Sequence, residues 1–276
     1  MKSVKSRGST SKAEVLPRLL RQKKVLVLDG AMGTILFAAG ITHPTIRANV
    51  ERPEVVRSIH QQYVEAGSDL ILTNTFVGGA YQFHRAGADI AREVADAAGR
   101  PIIVAGSIGT MDDLEARVHG LVDGGVDVMW LETMRTVDDV HLCVEAIRTV
   151  CDLPICATMS FHVDGRTASG LTRSQFAEQM AGLDLFAIGA NCGTTLDDTE
   201  TVIDSIRAVN REIPIIVKPN GGLPELHNRK LLYNCTLTAI SAFSTRAVAK
   251  GATLIGTCCG TTPAHIATIR QTIDKL

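Results

Sequence analysis

What most limits the fold of this chain is a rhythm of short, almost wholly apolar runs, each handed on to a stretch with helical patterning. Eight such runs recur, over residues 25–29, 70–74, 102–106, 128–132, 155–160, 187–191, 215–218 and 253–256. Their residues do not alternate between apolar and polar, so both faces are predicted to be covered, as in a parallel sheet lying under helices. The segments between them carry helix signals. Pro53-Glu54-Val55-Val56 opens one helix that ends at Ala66-Gly67. Residues 137–150 form another, with Asp138 and Asp139 in the first turn and Arg148 in the last, the charge order a helix dipole favours. Eight strand–helix units in about 250 residues match the size of a single (β/α)8 TIM barrel. A doubly wound open sheet is the alternative. That fold would carry G-x-G-x-x-G after its first strand, and Asp29-Gly30-Ala31-Met32-Gly33 does not supply it.

The 276 residues therefore divide into a lead-in, 1–13, and one barrel, 14–276. The lead-in carries Lys2, Lys5, Arg7 and Lys12, has no acid and lacks the apolar stretch of a secretion signal, and is read as disordered. A short helix with Val15, Leu19 and Leu20 follows it. With 28 Lys+Arg against 29 Asp+Glu and only 4% aromatics, there is neither a cationic field nor a stacking platform, which argues against a nucleic-acid partner. No apolar run approaches the roughly 20 residues of a membrane span, so the expectation is a soluble protein. Seven cysteines, an odd number with no secretory signal, point to a reducing, cytoplasmic compartment. No heptads mark an oligomer interface.

In a barrel of this kind the active site lies where strands pass into the following loops. Those positions hold Asp29-Gly30, Thr73-Asn74-Thr75, Gly106-Ser107, Glu132-Thr133, Ser160, Asn191-Cys192-Gly193, Lys218-Pro219-Asn220 and Cys258-Cys259-Gly260. Neighbouring side chains in a strand face opposite ways, so Cys258 and Cys259 can meet one metal only where the backbone turns irregularly. Gly256, Gly260 and Pro263 permit such a turn. With Cys192 they would offer a tetrahedral zinc three thiolates and leave one position open, the pattern of a catalytic site. The bland alternative is that cysteines are small buried hydrophobes, which is the reading for Cys143, Cys151, Cys156 and Cys235. Spacing alone leaves zinc and core filler evenly matched for the other three.

The segment Gly256-Thr257-Cys258-Cys259-Gly260-Thr261-Thr262-Pro263-Ala264-His265-Ile266 resembles the closing motif of the homocysteine S-methyltransferase domain family. So do Leu28-Asp29-Gly30-Ala31-Met32-Gly33-Thr34, Asn74-Thr75-Phe76, Gly106-Ser107-Ile108-Gly109, Leu131-Glu132-Thr133, Gly189-Ala190-Asn191-Cys192-Gly193 and Pro219-Asn220-Gly221-Gly222-Leu223-Pro224, in chain order. The resemblance implies a (β/α)8 barrel that moves a methyl group to the sulfur of homocysteine, giving methionine. Cys192, Cys258 and Cys259 would hold the zinc, with the substrate sulfur in the fourth position. Asp29 and Glu132 would receive the substrate ammonium, the Gly30, Ala31 and Met32 backbone would lie near its carboxylate, and Asn191 belongs to the same substrate-binding set. Asn220 is similar to the asparagine that approaches zinc when substrate is absent. Within the family, the stretch from Pro219 to Pro224 is similar to that of domains fed by a corrinoid, as in cobalamin-dependent methionine synthase. That implies a methylcorrinoid co-substrate not bound within this chain, delivered by a separate protein or as free methylcobalamin. S-methylmethionine, S-adenosylmethionine or betaine as donor, or a different thiol as acceptor, remain alternatives. The chain departs from the family at Thr257, where a glycine is usual, at Gly221-Gly222, where the second position is commonly not glycine, at Met111-Asp112-Asp113, and over residues 77–87.

Two rival readings use the same residues. Lys218 at a strand end could form a Schiff base in an aldolase-type lyase, its bland alternative being a rim charge paired with Glu132 or Glu225. Cys258-Cys259 could be a redox-switchable pair on a binding protein. Of the histidines, His265 reads as a rim or capping residue, and His43, His84 and His162 as loop residues without metal-ligand spacing.

Overall fold

The computed structural model describes residues 12–109, 111–162, 164–193, 195–227 and 230–276. In it the apolar runs become β1 (Leu26–Val27), β2 (Leu70–Leu72), β3 (Ile103–Ile108), β4 (Val128–Met134), β5 (Ile155–Met159), β6 (Ala187–Cys192) and β7 (Ile215–Pro219). A hairpin of β8 (Glu225–His227) and β9 (Lys230–Leu232) then precedes the last barrel strand, β10 (Leu254–Ile255). Hydrogen-bonded neighbours run β1-β10-β7-β6-β5-β4-β3-β2, every pair parallel. The ring is completed by the parallel bridge Leu28↔Leu70 and by Asp69 N donating to Val27 O at 2.6 Å. The fold is a TIM barrel, and the open-sheet alternative falls away.

The helices are α1 (Val15–Lys23), α2 (Gly33–Ala38), α3 (Ala48–Glu51), α4 (Pro53–Glu65), α5 (Tyr81–Ala97), α6 (Leu114–Asp123), α7 (Val137–Arg148), α8 (Arg173–Met180), α9 (Leu196–Val209), α10 (Leu237–Ala249) and α11 (Pro263–Ile273). Several begin where the sequence places a cap. The Thr136 hydroxyl accepts from Asp139 N ahead of α7, and Thr172 and Thr195 close capping boxes with Gln175 and Asp198 ahead of α8 and α9. Among the described residues no helix is long and apolar enough to cross a membrane.

Strand periodicity splits the core in two. Val27, Ile71, Val104, Met129, Leu131, Ile188 and Val217 face outward and pack with the helices. Leu26, Leu28, Leu70, Leu72, Ile103, Val128, Trp130 and Ile216 fill the barrel together with Leu16 and Leu19 of α1, which plugs its N-terminal end. Following the inward set toward the strand ends, apolar residues give way to polar ones at the same two-residue spacing: Ala105 to Ser107, Trp130 to Glu132, Gly189 to Asn191, Ile216 to Lys218. The alternation that fills the barrel therefore also aims these four side chains at one place.

Three features differ from the sequence reading. The β8–β9 hairpin has three-residue strands, too short for a periodic signal, and was not expected. His84 lies within α5, buried, with Nε2 bonded to Gly79 O at 3.1 Å, and not in a loop. Of the predicted lead-in, 1–11 lies outside the described residues, and Lys12–Glu14 forms a 3-10 turn leading into α1.

One buried group makes the fold sensitive to acid. His60 of α4 is fully buried, among the described residues neither ring nitrogen has a partner, and burial pushes it down from 6.5 to about 4. The folded pKa lies below the unfolded one, so its contribution is complete above pH 6.5 and is lost as pH falls toward 4. The full loss is about 3 kcal/mol. Urea unfolding at pH 7.5 and pH 4.5 is expected to show a smaller difference in a His60→Leu variant than in the parent. An unchanged difference would assign the acid sensitivity to other groups.

Candidate metal and substrate site

Cys192 ends β6 in a left-handed conformation (φ 57°), followed by Gly193 at 78°. Two contacts hold this turn: Asn191 Nδ2 reaches Cys192 Sγ at 3.4 Å, and Gly193 N donates to Ser160 Oγ at 3.1 Å. Across the mouth, the backbone after β10 leaves strand geometry as the adjacent cysteines require. Cys258 N donates to Pro219 O at 2.7 Å, Gly221 N donates to Cys259 O at 2.8 Å, and Thr261 Oγ1 donates to Cys258 O at 2.8 Å. Gly260 takes φ 78° under the Tyr233 ring, where a Cβ would fall 1.9 Å from Tyr233 Cγ, so no other residue fits.

The three sulfurs meet as a result. Cys192 Sγ lies 3.1 Å from Cys258 Sγ, Cys258 Sγ lies 4.0 Å from Cys259 Sγ, and all three fall within 4.8 Å of one another. Sulfurs bound at about 2.3 Å to a tetrahedral ion stand about 3.8 Å apart, within the spread seen here. Hydrogen bonds from Cys192 and Cys258 hold the Cys259 thiol down while those two thiols are themselves pushed up, so the three sulfurs share one negative charge that a cation would neutralise. Asn220 adds an oxygen. Its Nδ2 donates to Gly193 O at 2.9 Å, while among the described residues its buried Oδ1 has no hydrogen-bond partner. A buried amide oxygen left unpaired beside the Cys192 loop is a costly feature unless something else binds it.

The two carboxylates named from the sequence come to the same mouth in different states. Asp29 is 2% exposed, and both oxygens are taken: Oδ1 by Lys218 Nζ at 2.7 Å, Oδ2 by Leu72 N at 2.7 Å. Glu132 is half-buried, with Oε1 accepting from Ser107 Oγ. Burial, opposed by the Lys218 charge, pushes its carboxyl up to about 7. Lys218 is no rim charge. It is 2% exposed, and its partner is Asp29, neither Glu132 nor Glu225. Burial alone would push its ammonium down, but Asp29 and Glu132 more than offset that and the net direction is up. A Schiff-base lysine must shed this proton, so the aldolase-type reading loses its support.

The turn after β1 is ringed by hydroxyls. A Cβ on Gly30 would lie 2.8 Å from Tyr63 Oη and 2.9 Å from both Thr257 Oγ1 and Thr261 Oγ1. Tyr63 Oη donates to Ala31 O at 2.7 Å, Thr261 Oγ1 stands 3.4 Å from Ala31 N, and Met32 leads into α2. Thr257 is accommodated because its hydroxyl shares a 2.8 Å hydrogen bond with Thr261. Asn191 is fully enclosed. Its Oδ1 accepts from Thr133 N and Thr158 Oγ1, and its Nδ2 reaches Thr133 Oγ1 and Cys192 Sγ, so it supports the cysteine turn and offers no free polar atom. Tyr63 was not singled out in the sequence, where a lone tyrosine on an amphipathic helix carries no signal. Of the remaining cysteines, Cys143 and Cys156 are core residues, whereas Cys151 and Cys235 are only half-buried. His265 caps α11 through Thr262 N at 3.2 Å, as expected.

A sequence model of the family described as homocysteine S-methyltransferase matches residues 26–273. Methionine synthase of Mycobacterium tuberculosis is 30% identical over 302 aligned residues, 92% of this chain and 25% of that protein. Methionine synthase of Mycobacterium leprae is 30% identical over 301, covering 92% and 24%. The chain thus spans about a quarter of the length of these curated relatives. The metallated form of the homocysteine methyltransferase MmuM from Escherichia coli superposes with a TM-score of 0.77 at 24% identity, over 93% of this chain and 99% of that one.

Proposed function

Because this chain belongs to the homocysteine S-methyltransferase family, we propose that it transfers a methyl group to the sulfur of homocysteine, giving methionine, at a zinc ion held by Cys192, Cys258 and Cys259. The observation that carries this reading is the convergence of three sulfurs at the barrel mouth, with Asn220 hydrogen-bonded to the loop that follows Cys192. The donor set suits zinc: three soft thiolates, with the amide oxygen in the fourth position until substrate arrives. A metallated form of the similarly folded MmuM supports the same assignment.

A free thiol with a pKa of about 8.5 is mostly protonated at neutral pH, and the thiolate is the nucleophile. Bound zinc would stabilise the substrate as thiolate and let its proton leave to solvent. The residues do the rest. The carboxylate end of the barrel mouth holds the substrate ammonium, the Gly30–Met32 turn presents backbone to its carboxylate, and the sulfur is thereby aimed at the cysteine cluster. The sulfur–carbon bond forms as the donor–carbon bond breaks, and that bond's electron pair leaves with the donor. Alignment is the main requirement, and no covalent link to the protein is needed. Asn191, through its bonds to Thr133 and Cys192, keeps the cysteine turn and the end of β4 in register.

For the donor we favour a methylcorrinoid, supplied by a separate corrinoid protein or as methylcobalamin. The Pro219–Pro224 stretch and the likeness to mycobacterial methionine synthases over 92% of the chain support that choice. Two measurements test the reading. With homocysteine fixed as acceptor, a panel of methylcobalamin, a methylated corrinoid protein, S-methylmethionine, S-adenosylmethionine and betaine is expected to give fastest turnover with a corrinoid. Greater activity with a sulfonium or betaine donor would keep the acceptor and replace the donor. On adding homocysteine, zinc-edge X-ray absorption is expected to show one light-atom neighbour replaced by a fourth sulfur. No new Zn–S contact would sink the proposed acceptor mode.

A further inference from the structure

Two carboxylates stand at the mouth, but only one is open to a ligand. Asp29 has Lys218 Nζ on one oxygen and Leu72 N on the other, and is 2% exposed. A substrate ammonium could reach Asp29 only by displacing the Lys218 ammonium, which is itself 2% exposed and has Asp29 as its hydrogen-bond partner. Displacement would strand a charge inside the barrel, where an unpaired ion is strongly disfavoured. Glu132 differs on each count. It is half-buried, and among the described residues only one of its oxygens is engaged, by Ser107 Oγ. The second oxygen accepts no hydrogen bond from any described residue, which leaves it to a ligand.

We propose that Lys218 is a positioning residue that withdraws Asp29 from the substrate site, leaving Glu132 as the single carboxylate that reads the substrate's ammonium group. This rests on the homocysteine reading above and refines it. Lys218 and Asp29 form a neutral pair beneath the site, and the pocket presents one negative group to one ammonium. The pairing joins the ends of β7 and β1, so it also ties Asp29 to the strand that leads into Asn220. The selected class is then a thiol carrying one amino group within reach of Glu132.

The readout is amine selectivity, the ratio of dissociation constants for 4-sulfanylbutanoate, which lacks the amino group, and homocysteine. It is measured by calorimetry on the zinc-loaded full chain at pH 8 under reductant. Glu132→Gln is expected to lower the ratio at least tenfold. Lys218→Met frees Asp29 and is expected to raise the ratio at least threefold. The charge-neutral double variant Asp29→Asn/Lys218→Met is expected to return it to within threefold of the wild-type value, and it remains informative if the single lysine variant does not fold. A double variant that loses selectivity as Glu132→Gln does would show that Asp29 reads the ammonium and overturn the proposal. So would a folded Lys218→Met protein with an unchanged ratio. Wild-type protein that takes up zinc yet binds no homocysteine would instead overturn the proposed function, before any variant is made.

Discussion

Replacing Cys258 by alanine is expected to leave the purified, reduced protein with far less than one zinc per chain and to lower methyl transfer to homocysteine about a thousandfold or more. A loss of that size corresponds to about 4 kcal/mol of transition-state stabilisation. It follows from geometry. Cys258 Sγ lies 3.1 Å from Cys192 Sγ and 4.0 Å from Cys259 Sγ, so its removal leaves two of the three sulfurs that converge on the site. Two thiolates and one amide oxygen hold zinc much less tightly than three thiolates, and a substrate thiol without the metal stays mostly protonated at neutral pH. Cys143→Ala serves as the control. That thiol is buried beside Met111 Sδ at 3.4 Å, outside the cluster, so the variant should lose some stability and keep its zinc. Metal analysis beside turnover separates the possibilities. A Cys258→Ala protein that retains about one zinc per chain would remove the basis for the site, whereas zinc-free wild type with reversible thiol oxidation would revive the redox-pair reading.

How much of this was legible in the sequence depends on whether the information is local. The eight strands were, because a strand buried on both faces must be apolar at nearly every residue, and all eight formed within a few residues of the predicted runs. The cysteine cluster was legible one step further on: once strand ends are known, a barrel brings Cys192, Cys258 and Cys259 to one mouth whatever lies between them. The partner of Lys218 was not. Whether its ammonium meets Asp29, Glu132 or Glu225 depends on barrel register, and the residue it found lies 189 positions away. The unequal state of Asp29 and Glu132 follows from that pairing and was hidden for the same reason. Asn191 shows a related limit. It lies in a family motif beside a cysteine, and only the structure shows its amide consumed by Thr133, Thr158 and Cys192.

The barrel seam is where stability should be easiest to lose. β1 and β2 meet through the single bridge Leu28↔Leu70 and the bond from Asp69 N to Val27 O, whereas β3 and β4 pair over four positions. Asp69 reinforces this short seam with its side chain. Oδ2 accepts from Val27 N at 3.0 Å and from Arg270 Nη1 at 3.1 Å, Oδ1 accepts from Lys23 Nζ at 2.5 Å, and Arg100 stands at 3.7 Å. The carboxylate is 1% exposed, but its cations are 40%, 21% and 35% exposed, so solvent screens part of their attraction. Asp69→Ala removes the acceptor for a buried strand N–H and leaves three cations facing one another. Breaking a buried pair in this way costs about 3–5 kcal/mol, with the exposed cations placing the expected value toward the lower end. Asp69→Asn keeps an oxygen for Val27 N but loses the charge and the oxygen that accepts from Lys23, so it should cost roughly half as much. Urea unfolding at neutral pH gives both numbers, and raising the salt concentration should narrow the gap between Asn and wild type while leaving the gap between Ala and Asn. Asp69 stands just before the first residue of β2, at the opposite end of the barrel from the strand ends that carry the cysteines, so at temperatures where Asp69→Ala is still folded its turnover should stay close to wild type. A variant that keeps its stability but loses turnover would mean that Asp69 acts on the site rather than on closure of the barrel.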